Sequence, residues 1–144
     1  MRETMIPALV ALLVPILMGD PAHADVQGHA LECPARAPDD WKLPNAPLSG
    51  VEVLSSREGE AIDETAPPSL VPDEQSIQSG TLHQSWKMNA DGPEWIFFVD
   101  CHYKGTDRIL RLDARTVTRC DRTISHFSRT TGETARSEQR MRCG

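Results

Sequence analysis

The 144-residue chain has few aromatic side chains, no long apolar run and none of the short motifs that mark common catalytic sites. Its longest apolar segment, residues 6–18, contains two prolines and is shorter than the about 20 residues that a membrane-spanning helix needs. A G-x-S-x-G elbow, a glycine-rich phosphate loop and a C-x-x-C pair are all missing. With 39% apolar and 25% charged residues and no long repeat, the composition also excludes a coiled-coil, collagen-like or wholly disordered protein.

The N-terminal residues 1–24 are typical of a cleavable Sec-type signal peptide. Arg2 supplies a positive charge ahead of the apolar run, which a turn at 19–21 ends before the small-residue site at 22–24. Alanines at positions −3 and −1 of this site fit signal peptidase. We therefore expect cleavage after Ala24, a mature chain that begins at Asp25, and a periplasmic protein without a membrane span.

An even number of cysteines remains after this cleavage, which predicts two disulfides in an oxidising compartment. The cysteines are Cys33, Cys101, Cys120 and Cys143. Their spacings lack the closely paired ligands of a structural zinc site, so we expect no metal. Four cysteines allow three pairings, and the choice between them depends on strand register.

Two β-rich segments, residues 95–103 and 108–112, predict a hairpin. A loop at Gly105-Thr106 suits a type II′ turn, because glycine tolerates the positive φ of the first loop position. The resulting register sets Asp100 opposite Arg111, so that opposite charges meet. The face expected to point to the core carries Trp95, Phe97, Val99, Cys101, Leu110 and Leu112. The other face carries Asp100, His102 and Arg111.

A second hairpin centred on Thr131-Gly132 places Cys120 directly opposite Cys143, at a separation that a disulfide can bridge. Cys33 would then pair with Cys101 and tie the N-terminal arm to the central strand. In the chain-entropy model this bond stabilises the fold by ~4 kcal/mol. Because β-branched Thr131 disfavours positive φ, a longer loop with a slipped register stays open.

The sequence predicts a mainly β fold, with a single small antiparallel sheet of about six strands. Residues 25–50 predict a Pro-rich arm, and residues 51–144 predict an antiparallel β domain to which the arm is tied. Within that domain, residues 51–55 predict a short strand. Residues 57–80, with six acidic side chains and three prolines, predict a long surface loop. Alternating Leu82, Trp86 and Met88 predict another half-buried strand.

No group of side chains predicts catalysis. His83, His102 and His126 fall at outward positions of the predicted strands, which indicates solvated histidines. The carboxylates of residues 58–64 lie in a polar loop, whereas a catalytic acid usually needs an apolar pocket. We therefore expect no enzyme activity and no cofactor.

Charge is distributed unevenly along the mature chain. Residues 25–100 hold 4 basic and 14 acidic residues, whereas residues 101–144 hold 10 basic and 5 acidic residues. One interpretation is an arginine-lined strand surface that binds an anionic partner, with Arg111, Arg115 and Arg119 as candidate anion-binding residues. The other is internal, with the acidic loop folded over the basic strands. Nucleic acid is disfavoured by the compartment, the net charge and the lack of aromatics between the arginines.

Several landmarks resemble a family of small exported, periplasmic proteins of Gram-negative bacteria, some of which are encoded near type VI secretion clusters. The landmarks are Cys33-Pro34, Val51-Glu52-Val53, Leu70-Val71-Pro72-Asp73, Trp86, Trp95, Cys101-His102-Tyr103 and Cys120. The spacing from Trp95 to Cys101 is longer here than in the family. The resemblance covers roughly residues 31 to 120, and it implies a disulfide-bonded, non-catalytic domain related to protection against delivered toxins.

Two classes of function stay open. The first is a binding or inhibitor module of the immunity or lysozyme-inhibitor kind, with a periplasmic protein as its partner. It would use Trp41, the arm and the 57–80 loop as contacts on a fixed scaffold. The second is a structural or stress protein that contacts anionic envelope components through its basic strands. The oligomeric state does not follow from the sequence.

Overall fold

Two antiparallel β-sheets pack face to face. The structure, a computed structural model, describes residues 30–65, 67–88, 92, 94–126 and 138–144. The expected signal peptide, its cleavage site and the turn at Thr131-Gly132 lie outside these residues. Within the described part of the chain, no helix is long and apolar enough to cross a membrane.

The larger sheet has five strands in the order β1-β8-β7-β4-β3. These strands are β1 (Leu31–Glu32), β3 (Glu74–Gln78), β4 (Thr81–Lys87), β7 (Arg119–Ile124) and β8 (Gln139–Cys143). The smaller sheet has three strands in the order β2-β5-β6. These are β2 (Leu48–Arg57), β5 (Trp95–Tyr103) and β6 (Ile109–Asp113).

Both predicted registers are confirmed. Strand β5 pairs with β6 so that Asp100 lies opposite Arg111, and Gly105 in the connection has the expected positive φ of 81°. Strand β7 pairs with β8 so that Cys120 lies opposite Cys143. Charge and apolar complementarity predicts the first alignment correctly, and a two-residue loop that sets two cysteines opposite each other predicts the second.

The hydrophobic core lies between the two sheets. Val53, Phe97 and Val99 of the smaller sheet and Trp86 and Met141 of the larger sheet belong to one buried cluster. The disulfides have the predicted connectivity, Cys33–Cys101 and Cys120–Cys143. The first joins the chain beside β8 to β5 of the other sheet, because the Cys33 N–H donates to the Met141 carbonyl. This bond therefore ties the two layers together.

The prediction of a single six-stranded sheet was wrong. The strands divide between two sheets because β2 pairs with β5, and β4 pairs with β7. A lone sheet would leave its apolar face in water. With no helix in the described residues to cover that face, a second sheet buries it. The pairs that decide this arrangement are far apart in sequence, so local alternation does not reveal them.

The prediction of a long surface loop over residues 57–80 was also wrong at its end, where β3 forms a hairpin with β4. Ser79 and Gly80 both have positive φ, 48° and 73°, as a two-residue type I′ turn requires. The Ser79-Gly80 dipeptide is a turn signal that could have located this hairpin. Strand β2 likewise extends beyond the predicted 51–55, and a short 3-10 turn, Asp39–Trp41, follows Pro38.

Candidate binding site

A closed loop of residues 33–47 presents Trp41 at the end of the smaller sheet, and we call it the Trp41 loop. Its base is held together by backbone hydrogen bonds from Ala37 to the Ala46 carbonyl (2.9 Å) and from Leu48 to the Ala35 carbonyl (3.0 Å). Lys42 has a positive φ of 54°, so the chain reverses directly after Trp41. Loops closed in this way are frequent carriers of binding residues.

Two further contacts anchor the Trp41 loop to β5. The Cys33–Cys101 disulfide holds its first residue, and the Tyr103 hydroxyl donates to the Pro34 carbonyl at 3.1 Å. Tyr103 is 2% exposed, and this burial raises the pKa of its phenol. The hydroxyl therefore stays protonated and remains a donor to the loop at neutral pH.

An aromatic and cationic cluster lies at the tip of this loop. Trp41 packs edge-on against Tyr103, with the ring centroids 5.7 Å apart. The guanidinium carbon of Arg108 lies 4.3 Å from the centroid of the Trp41 ring, within range of a cation–π contact. We call Trp41 and Arg108 the Trp41 patch, and its composition is typical of residues that dominate protein interfaces.

Arg111, the first candidate anion-binding residue, is already held by two carboxylates. Its Nε and Nη2 donate to the two Asp100 oxygens, both at 2.7 Å, and its Nη1 donates to Glu64 at 2.7 Å. The hydrogen bonds to Asp100 are the main reason why the Arg111 pKa is raised. The same guanidinium lowers the pKa of Glu64. Asp100 is 2% exposed and Arg111 is 28% exposed, so the carboxylate end of this pair is shielded from solvent.

Arg115 and Arg119 are likewise next to carboxylates. Arg115 Nε donates to Asp113 at 2.8 Å, which lowers the pKa of Asp113. Arg119 Nε donates to Asp121 at 2.9 Å, and its Nη2 lies 3.8 Å from Glu74. The hydrogen bond to Asp121 is the main cause of the raised Arg119 pKa.

The structure does not bring the three candidate arginines onto one strand surface. Arg111 lies on β6 of the smaller sheet, Arg115 lies in the connection that follows, and Arg119 lies on β7 of the larger sheet. Arg122 turns inward, where its Nη2 donates to Gln139 and its pKa is lowered by burial. The basic residues of the C-terminal part thus occupy several separate environments.

The segment 58–65 and 67–73 crosses the outer face of the smaller sheet, and we call it the cover loop. At one end Glu64 contacts Arg111 on β6, and at the other the Leu70 N–H donates to the Val53 carbonyl on β2 at 2.7 Å. Beneath it Leu54 is fully buried, although strand alternation places it on the outer face. The unexpected burial of Asp100 on this face has the same cause.

The outer face of the larger sheet is open and polar. A groove of about 380 Å³ lies across β3, β4 and β7. The outward side chains along it include Glu74, Ser76, His83, Ser85, Arg119, Asp121 and Thr123. Ser85 Oγ is buried at the groove floor without a hydrogen-bond partner among the described residues. Among the described residues that line this groove there is no Phe, Trp or Tyr.

The predicted outward histidines do not converge on one site. His83 is exposed on β4, His102 on β5 has Nε2 3.7 Å from Glu52, and His126 lies in a turn with a positive φ of 58°. Among the described residues no group of three or more His, Cys, Asp or Glu side chains could hold a metal ion.

The chain matches no known family model, no curated protein and no solved structure. The resemblance to small exported proteins therefore stays a prediction from the sequence landmarks. The Trp41–Arg108 stack could not be derived in the same way, because it joins residues far apart in sequence. An isolated tryptophan among closely spaced prolines was its only local signal.

Proposed function

We propose that this protein is an exported, non-catalytic module that binds a protein partner through the Trp41 patch. The observation that carries the proposal is the Arg108 guanidinium stacked on Trp41 at 4.3 Å, on a loop closed by its own hydrogen bonds. Trp and Arg are the residue types most enriched among interface hot spots. The two disulfides and the β-sheet scaffold are compatible with export to an oxidising compartment.

Preorganisation supports a binding role for this loop. The disulfide at Cys33 and the Tyr103 hydrogen bond hold the backbone at the start of the loop, and the Tyr103 ring packs against Trp41 before any partner arrives. Binding then costs little further loop ordering, which favours affinity. The partner class we propose is a toxin or hydrolase that acts in the same compartment, on the basis of the sequence resemblance.

The alternative, an envelope-associated protein that uses its basic strands, has less support from the geometry. Arg111, Arg115 and Arg119 each have a carboxylate within hydrogen-bond distance. An anionic envelope component would have to compete with these internal partners. Such competition weakens the electrostatic attraction that this class of function requires.

The test is affinity capture with the disulfide-bonded chain from periplasmic extract, followed by calorimetry with the purified captured protein. We expect Arg108→Ala and Trp41→Ala each to weaken the interaction by roughly 30-fold, as hot-spot truncations do. Arg108 is exposed, so its variant should fold normally. Melting curves of both variants separate loss of binding from loss of fold.

Arg57 offers a matched control, because it also stacks on a tryptophan, Trp95, at 5.4 Å. Arg57→Ala should leave the affinity unchanged if the Trp41 patch is the binding surface. Capture of the same partner by wild type, Arg108→Ala and Trp41→Ala with equal affinity would contradict the proposal. So would failure to capture any periplasmic protein.

A further inference from the structure

The four edge strands of the two sheets differ in how well they are protected. Strand β1 has only two residues, and the outer edge of β2 is covered by residues 67–70 through hydrogen bonds to Ser55 and Val53. Strands β3 and β6, each of five residues, have free edges in the described part of the chain. Proteins usually block such edges because they pair readily with another strand.

Strand β3 presents an unprotected set of backbone groups. Its type I′ turn makes Gln78 and Thr81 a hydrogen-bonded pair, so the N–H and C=O groups of Gln75 and Ile77 point away from β4. No backbone hydrogen bond from either residue to another segment is present in the described structure. The strand contains no lysine and no proline, the residues that commonly protect an edge.

The sequence of β3 is complementary to itself in an antiparallel pair. The register that pairs all five residues places Ser76 opposite Ser76 of a second copy, on a two-fold axis. It sets Glu74 opposite Gln78 and Gln75 opposite Ile77, so no like charges face each other. The outward groups of Gln75 and Ile77 then meet one another and form the hydrogen bonds of the new ladder.

Strand β6 lacks this complementarity. The Ala114 N–H donates to the Phe97 carbonyl, which directs the backbone groups of Ile109, Arg111 and Asp113 away from β5. The equivalent five-residue register would centre on Arg111 and place two arginines opposite each other on the axis. Like charges directly opposite destabilise a strand pair.

We propose that β3 is a docking surface for a second copy of this chain, with the two β3 strands paired antiparallel about Ser76. The two five-stranded sheets then form one continuous sheet, and the interface is isologous. The grooves of the two outer faces meet at the axis, because Glu74, Ser76 and Gln78 line the groove of each copy. A single pair of short strands buries a small area, so the dimer is concentration-dependent.

Analytical ultracentrifugation of the disulfide-bonded chain over a concentration series tests the proposal. Wild type should approach twice the monomer mass at high concentration. Ser76→Glu or Ser76→Lys places like charges on the axis and should raise the half-dimerisation concentration by roughly tenfold. An equimolar mixture of the two variants should restore dimers, because the axis then joins opposite charges. Ser76 is exposed, so neither variant should unfold the chain.

Ile109→Lys is the matched control, since it adds the same charge at the free edge of β6 and should leave the dimer unchanged. Amide exchange provides a second measurement, because the Gln75 and Ile77 amides should exchange slowly only at dimer-forming concentrations. A chain that stays monomeric at all concentrations would overturn the proposal. A dimer broken by Ile109→Lys but not by Ser76→Lys would overturn it as well. The Trp41 patch takes no part in this contact, so either inference can fail without the other.

Discussion

The outer faces of the two sheets both carry polar side chains but differ in what lies over them. On the smaller sheet the cover loop buries Leu54 completely and leaves Asp100 only 2% exposed. On the larger sheet the outward side chains border an open groove. Two of them, Asp121 and Arg119, are about half exposed. Alternation along a strand therefore identifies which residues share a face, but it does not determine whether that face is in water.

The difference also bears on the charge asymmetry of the chain. At the covered face the acidic N-terminal part meets the basic C-terminal part directly, through Glu64, Arg111 and Asp100. At the open face the shortest ion pair is local, between Arg119 and Asp121 two residues away, and the contact from Arg119 to Glu74 is longer, at 3.8 Å. Removing one partner of an ion pair with a buried group costs more stability than removing one partner of an exposed pair, because it leaves a buried charge unpaired. Substitutions on the two faces should therefore have unequal effects.

The largest effect is expected beneath the cover loop. Leu54→Ala should lower the free energy of unfolding by about 3 kcal/mol, because it removes buried methyl groups and leaves a cavity. Val71→Ala is the control, since Val71 is 85% exposed in the same loop and should have almost no effect. Urea denaturation of the disulfide-bonded chain measures both. Equal effects would show that the loop does not close over Leu54.

Asp100→Asn should have the next largest effect. It replaces a carboxylate that accepts two hydrogen bonds from Arg111 and that is only 2% exposed. Because Arg111 is partly exposed and keeps Glu64, we expect a loss of about 2 kcal/mol rather than the full cost of breaking a buried pair. Asp121→Asn makes the same change on the open face and should be close to neutral. A neutral Asp100→Asn would remove the energetic distinction between the two faces.

The predictable parts of the fold are the pairs of strands that follow one another in the sequence. Pairing Asp100 with Arg111 and Cys120 with Cys143 required only a hairpin and matching of charge or thiol across it. Both disulfides followed from those registers. The division into two sheets did not, because β2–β5 and β4–β7 join segments separated by long stretches of chain whose alternation fits many partners.

The candidate site was less predictable for the same physical reason. The Trp41 loop depends on Cys33–Cys101 and on Arg108, and the ring contact between Trp41 and Arg108 has no local pattern. The cover loop depends on Glu64 reaching Arg111, 47 residues later. Charge counting indicated that acidic and basic parts of the chain could meet. It did not indicate which arginine would be enclosed and which would stay at the surface.

Acid should weaken the contact between the cover loop and β6, which joins Glu64 to Arg111. Arg111 lowers the Glu64 pKa below its ordinary value of 4.5, so the stabilisation is present above pH 4.5 and is lost as the pH falls through the lowered pKa. Glu64→Gln should therefore have a lower urea midpoint than wild type near neutral pH. The two midpoints should converge in acid, where wild-type Glu64 is also uncharged. A difference that does not change with pH would contradict this role for Glu64.

The smallest effect is expected on the open face and at the connection that leads to it. Arg115→Ala and Arg119→Ala together should leave the melting temperature nearly unchanged, because both guanidinium groups are about half exposed and pair with residues two positions away. The same double variant tests the envelope alternative by cosedimentation with anionic lipid vesicles at low and high salt. We expect wild type and variant to bind equally weakly, since internal carboxylates already neutralise these arginines. Salt-sensitive binding by wild type that the double variant loses would instead favour an envelope-contacting protein. In that case the open face, rather than the Trp41 patch, would be the functional surface.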